Sequence, residues 1–151
     1  MGIELTADET WEFLERGHTA IFTSLRRDGR PVALPVWYAV LDRCLYVRGP
    51  SHTRKFERVR RDDRVSLLVE SGEAWKELKA VHVSGRARIV EDPDIVQRVG
   101  EHLEEKYRRF RTESRRMPGA SQRHYGSGTT LLRIEPEEWI SWDNAKLRLR
   151  R

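Results

Sequence analysis

Across residues 79–90 the chain alternates without interruption: Val81, Val83, Gly85, Ala87 and Ile89 fall on one side, His82, Ser84, Arg86 and Arg88 on the other. A period of two held over that length specifies a half-buried β-strand, because a helix would scatter the same apolar residues around its axis. Small Gly85 and Ala87 on the apolar side suit the tight interior of a barrel. Residues 20–25, 44–48, 65–69 and 129–134 are further short apolar runs of strand type, and residues 139–142 are a candidate seventh strand. Asp28-Gly29 between apolar runs marks a hairpin, and Leu41-Asp42-Arg43 marks a second turn.

Residues 31–40 read as the second strand. Val32, Leu34, Val36, Tyr38 and Val40 share one face, and Ala33, Pro35, Trp37 and Ala39 the other. Pro35 lacks a ladder donor, so this strand belongs at an edge, a bulge or an opening of the sheet. Helices are few. Thr6 to Glu9 fits a capping box ahead of Trp11 and Leu14, and Gly17 stops that helix. Asp92-Pro93 opens a second, running to about Phe110, with Val96, Val99, Leu103 and Tyr107 near helical spacing. Residues 112–128 have no clean period and are expected to be a long loop, either a mobile lid or a plain connection. The basic residues 146–151 form either a frayed tail or the extension of a strand. Six to seven short antiparallel strands with few helices imply a mainly β fold, a β-barrel with flanking helices, built as one domain over residues 1–151.

Residues 45–56 carry the strongest functional signal. A strand breaks at Gly49-Pro50, and a helix spanning residues 51–61 then opens with Ser51, His52, Thr53, Arg54 and Lys55. A helix start has free backbone N–H groups and a partial positive charge, so cations there are repelled. A bound anion, most simply a phosphate, turns that conflict into a site.

Composition narrows the remaining classes. Net charge is +5 over 151 residues, with 29 Lys and Arg against 24 Asp and Glu. Such a balance admits nucleic acid as well as phosphate or carboxylate ligands. The aromatics fall mostly on apolar faces instead of interleaving with exposed cations, which argues against base stacking and nucleic-acid binding. No window of about 18 apolar residues exists, so no membrane span is expected. Residues 1–6 lack a basic region and an apolar run, and Cys44 is the one cysteine, so a cytoplasmic setting is the expectation. His18, His102 and His124 share no ligand spacing, and no metal site is expected.

The ordered set of parts resembles the pyridoxamine 5′-phosphate oxidase-like, FMN-binding split-barrel superfamily, in its flavin- or deazaflavin-dependent oxidoreductase branch. The resemblance is carried by residues 23–31, by Pro35-Val36-Trp37-Tyr38, by Thr53-Arg54-Lys55, by residues 60–69, by residues 83–87 and by Ser141-Trp142-Asp143. It implies a homodimer with two cofactor sites at the interface. Thr53 and Lys55 become phosphate ligands with Arg54 beside them, Arg48 and Gly49 touch the phosphoribityl group, and Pro35, Val36, Trp37 and Tyr38 run beside the ring system. Lys79 and Ala80 lie near a polar contact to the ring, and Trp142 reaches the site from the other subunit.

The departures are also informative. The oxidase of vitamin B6 metabolism carries an Arg and a Lys where this chain has about Ala33 and Tyr38, and its C-terminal arginine-and-histidine motif is missing here. The resemblance therefore implies a reductase-type relative, not that oxidase. Flavins and deazaflavins carry the hydride chemistry themselves, so the absence of a catalytic triad does not count against an enzyme. Tyr38 and His52 are the candidates for a proton donor near the ring. F420 is favoured over FMN, because a long anionic tail wants a basic groove of the kind Arg48, Arg54, Lys55 and Arg58 would line; haem is a third option. The expected activity is hydride transfer between F420H2 (or reduced FMN) and a small organic substrate, with quinones, biliverdin-like tetrapyrroles and unsaturated lactones all open. The alternative is a non-catalytic flavin, F420 or haem binder for storage or sensing.

Overall fold

The computed structural model describes residues 2–126 and 128–150. A capping box opens α1 (Ala7–Arg16): the Glu9 N–H donates to Thr6 Oγ1 at 3.2 Å, and the Thr6 N–H donates to the Glu9 carboxylate at 3.1 Å. β1 (Ala20–Leu25) turns through Asp28 and Gly29 into β2 (Pro31–Val36). β3 (Tyr38–Leu41) and β4 (Cys44–Pro50) are joined by Asp42 and Arg43, both at positive φ (52° and 56°), as a two-residue hairpin with right-handed strand twist requires. There follow α2 (Arg54–Arg61), β5 (Arg64–Ser71), β6 (Lys79–Val90), α3 (Pro93–Tyr107), α4 (Gly119–Gly126) and β7 (Thr129–Asp143). No helix among the described residues is long and apolar enough to cross a membrane.

The strands form one antiparallel sheet in the order β2-β1-β5-β6-β7-β4-β3. Its two edges, β2 and β3, are consecutive pieces of chain that change neighbours at Trp37. The stretch read from sequence as one strand is thus two: residues up to Val36 pair with β1, and residues from Tyr38 pair with β4. The sheet curls shut through this covalent link, which is a split barrel. The face assignment holds across the break, with Val36, Tyr38 and Val40 all in the barrel core. Leu34 has the same parity yet is exposed, although Phe22, opposite it on β1, lies in the core.

The exchange at Trp37 leaves backbone groups that no ladder can satisfy. Tyr107, at the end of α3, supplies the partners. Its hydroxyl accepts from the Tyr38 N–H at 3.0 Å, donates to the His18 carbonyl at 2.8 Å, and lies 3.0 Å from the Tyr38 carbonyl. The Tyr38 ring enters the core and hydrogen-bonds the Leu14 carbonyl. Gly17 makes room for it: a Cβ there would lie 2.1 Å from the Tyr38 hydroxyl.

Leu14 from α1 and Phe56 and Val59 from α2 complete the core inside the barrel. A second cluster lies outside it, where Val99, Leu103 and Tyr107 of α3 cover Ala39, Tyr46 and Leu131. Val96 is 38% exposed and is not part of that buried stripe.

Two further expectations change, and one open alternative is decided. The final strand is continuous from Thr129 to Asp143, so no separate seventh strand forms at residues 139–142. Pro136 fits within it because it faces the bulge at Ser84/Gly85, where a Cβ on Gly85 would lie 2.0 Å from the Glu135 carbonyl oxygen. The 112–128 stretch is not a plain loop; it holds a 3₁₀ turn, Ser114–Arg116, and α4. The basic C-terminal residues follow a 3₁₀ turn, Asn144–Lys146, without extending a strand, and Arg151 lies outside the described residues.

Removing the Tyr107 hydroxyl leaves the Tyr38 N–H buried without a partner. Tyr107→Phe is expected to lower the unfolding free energy by about 1–3 kcal/mol in urea titrations.

Candidate functional site

The α2 start is built as the sequence suggests and is left electrically unfinished. Helix α2 begins at Arg54, three residues after the expected start. Thr53 is its N-cap residue, but the Thr53 hydroxyl donates to the Pro50 carbonyl at 2.9 Å and caps no helical N–H. Lys55 is half-buried, and burial pushes its ammonium below the usual lysine range. It has no carboxylate partner among the described residues; its Nζ lies 5.7 Å from the Phe56 ring centroid. The same Nζ is 3.2 Å from where a Cβ on Gly49 would be, so the glycine opens the space the ammonium uses.

Gly49 also lines a cavity of about 850 Å³, within the size range of small-molecule and cofactor sites. One wall is the strand exchange itself, with Pro35, Val36 and Trp37; another is the end of β4, with Arg48, Gly49 and Pro50. Leu103, Glu104 and Tyr107 of α3 form a third, and Thr112, Ser114, Met117 and Tyr125 close the side. The indole of Trp37 stacks on Tyr107, with centroids 4.4 Å apart and planes 4° apart, which makes a flat apolar surface. His18 and Phe110 pack edge-on around it.

The sequence-derived candidates therefore divide. Pro35, Val36, Trp37, Arg48 and Gly49 line the cavity; Thr53, Arg54 and Lys55 do not, although Thr53 bonds Pro50 and Lys55 Nζ reaches Gly49 behind its β4 wall. Tyr38 does not line it: the ring is fully buried and the hydroxyl is engaged with Leu14. His52 is exposed, with Nε2 2.9 Å from Nδ1 of His124 on α4. Lys79, Ala80 and Trp142 lie together at the other end of the β6–β7 pair, where Lys79 meets Asp143 at 3.8 Å and Ala80 is buried opposite Trp142. Glu104, Arg111, Met117 and Tyr125 were not singled out from sequence. Helical spacing alone brings Glu104 beside Leu103 and Tyr107, but no local pattern signals that this face of α3 meets residues 35–37.

A profile described as pyridoxamine 5′-phosphate oxidase matches residues 6–143. The chain belongs to this family. A conserved hypothetical protein of Mycobacterium tuberculosis superposes on the family fold of this chain with a TM-score of 0.83 at 30% identity, over 99% of this chain and 91% of that one. An FAD-binding protein of Mesorhizobium loti is 25% identical, with a TM-score of 0.68, over 93% and 96% of the two chains. A structure described as an F420 reductase shares the fold at 19% identity and a TM-score of 0.64, over 85% and 94%. No curated protein sequence matches the chain.

In this member of the pyridoxamine 5′-phosphate oxidase family, the strand exchange behind the cavity carries a second half-buried amine. Lys106 Nζ donates to the Tyr38 carbonyl at 3.0 Å and stands 3.8 Å from the centroid of the Tyr38 ring. Burial pushes its pKa down from 10.5 to about 8. The folded protein thus resists the charged amine. That penalty is complete below pH 8 and is lifted as pH rises towards 10.5, because over this window the unfolded chain holds the proton and the folded chain does not. Urea midpoints of the wild type are expected to rise across this window relative to those of Lys106→Met; parallel pH profiles would refute the assignment.

Proposed function

We propose that the chain is a cytoplasmic homodimeric oxidoreductase of one domain per subunit, which binds F420 or FMN and exchanges hydride with a small organic substrate. The observation that carries this reading is Lys55: a half-buried ammonium without a carboxylate, at an uncapped helix start, beside a glycine of the cavity wall. This is a donor set for a phosphate dianion, with Lys55 supplying charge, Thr53 and Arg54 side-chain donors, and the first turn of α2 backbone N–H groups. An anion there also reverses the burial penalty on the ammonium.

When bound, such a cofactor supplies the hydride chemistry at its ring. The protein's share is placement. Arg48 and Gly49 sit between the phosphate end and the flat wall, suiting the linking chain of the cofactor. Pro35 and Val36 pair with β1 on one side only, and Trp37 belongs to neither ladder, so the segment offers a strand edge at the exchange point. Met117 and Tyr125 keep water from that side. F420 is preferred over FMN because Arg54 and Arg58 continue the basic surface along α2. Arg58 is held below its usual range first by burial and then by Arg26, Arg54 and Arg61 around it. A tail with further anionic groups relieves that repulsion.

The dimer is supported by the outer face of the sheet. Strand register aligns Pro35, Ile21, Leu68, His82 and Ile140 in one row across β2, β1, β5, β6 and β7. Ile140 is 51% exposed, and His82 Nδ1 is buried without a hydrogen-bond partner among the described residues. Pro35 ends this row and also lines the cavity, so a second copy seated on the row reaches the cavity's edge and brings residues such as Lys79, Ala80 and Trp142 within range of the partner's site.

Two outcomes test the proposal. Lys55→Ala is expected to weaken FMN or F420 binding tenfold or more, since a charge-assisted phosphate contact contributes about 1.5–3 kcal/mol; unchanged affinity in a fluorescence titration refutes the phosphate site. Ile140→Asp is expected to turn a sedimenting dimer into a folded monomer. A wild type that sediments as a monomer refutes the interface.

A further inference from the structure

The cavity holds one device that the phosphate site does not use. Glu104 Oε1 accepts from Arg48 Nη2 at 3.0 Å and forms an ion pair with Arg111 Nη2 at 3.3 Å. Among the described residues neither guanidinium has another acceptor, and Glu104 is the only carboxylate of the cavity wall. Two five-donor forks share one carboxylate, so the wall keeps a surplus positive charge and several unused N–H groups.

The arrangement has a cost that the fold accepts. Gly100 sits inside α3, where glycine is less favourable than alanine. A Cβ at Gly100 would lie 3.2 Å from Arg48 Nη1, so the glycine lets that guanidinium lie close against the helix and reach Glu104 one turn on. Arg111 is held from the other side, with its Cζ 5.5 Å from the centroid of the Trp37 ring. The double-arginine clamp therefore borders the flat wall of Trp37 and Tyr107.

We infer that this clamp selects the substrate: a planar, apolar molecule bearing a carboxylate, whose ring lies along Trp37 and Phe110 and whose carboxylate takes the free donors of Arg111, while Arg48 stays with the cofactor's linking chain and Glu104. Glu104 occupies those donors weakly beforehand and keeps the arginines oriented. The inference rests on the cavity serving a bound cofactor, and it places the substrate's anion apart from the cofactor phosphate at Lys55.

Calorimetric titration with 2-naphthoate and its uncharged match 2-naphthamide tests this, on the protein alone and on protein saturated with FMN. The naphthoate is expected to bind about tenfold more tightly than the amide. Arg111→Gln is expected to remove that advantage while leaving the amide's affinity and the FMN affinity unchanged, which also shows that the variant is folded. Glu104→Gln, by deleting the competing carboxylate, is expected to tighten naphthoate severalfold. Equal binding of acid and amide overturns the inference, as does an Arg111→Gln variant that keeps the preference. Loss of naphthoate binding on FMN saturation also overturns it, since the clamp then belongs to the cofactor. None of these readings passes through Lys55, so a failed phosphate site and a failed clamp give different results.

Discussion

One phenolic oxygen holds the architecture together. The barrel closes because residues 31–41 pair first with β1 and then with β4, and a strand that changes partners must strand its own backbone at the crossing point. The Tyr107 hydroxyl occupies that point and meets Tyr38 N–H, Tyr38 C=O and His18 C=O. Lys106 adds a donor to the same carbonyl. The end of α3 is thus obliged to sit over the exchange, and the helix cannot slide without exposing buried polar groups that cost about 1–3 kcal/mol each.

The cavity follows from that obligation. With Tyr107 fixed, Leu103 and Glu104, four and three residues earlier, face the end of β4, and Trp37 has a ring to stack on. The chain leaving α3 must then return to β7 across the open side, which brings Thr112, Ser114, Met117 and Tyr125 into the wall. Pro35 contributes on both sides of this geometry. It gives no ladder donor to a neighbour, so the sheet ends beside it, and the free edge becomes the rim of the site.

Legibility in the sequence tracks how local each cause is. The capping box at Thr6, the inward set on β6 and the cationic first turn of α2 depend on neighbours within a few residues, and each reads directly from spacing. The turn from β4 into α2 was legible for the same reason: Gly49, Thr53 and Lys55 are neighbouring parts of one strand-to-helix turn. The break at Trp37 was not, because Val36, Tyr38 and Val40 keep perfect alternation through it; what ends the pairing is that the neighbouring strand β1 begins at Ala20, opposite Val36. The continuity of β7 through Pro136 was hidden likewise, since the bulge that tolerates the proline lies at Gly85, on another strand. The clamp at Glu104 joins residues from β4, α3 and the segment after α3, and no window of sequence contains all three.

Arginine content by itself says little about function in such a chain; the pairing of each arginine says more. Arg86 and Arg88 share Asp63 and reach Glu137 and Glu135, Arg64 closes on Asp62, and Arg98 on Asp42. These are exposed ion pairs of small energetic weight, which keep a basic surface soluble and locally neutral. Other arginines have no ion pair among the described residues, and one group of them surrounds a single helix. Arg54, Arg58 and Arg61 lie along α2 with Arg26 near, Lys55 stands uncompensated at its start, and Arg48 and Arg111 divide a single carboxylate at the cavity wall. Repulsion at α2 opposes folding unless something stabilises it, and the barrel core formed by Phe56 and Val59 is what holds the helix in place against it. An anion bound at the start of α2, as proposed above, would lessen that repulsion.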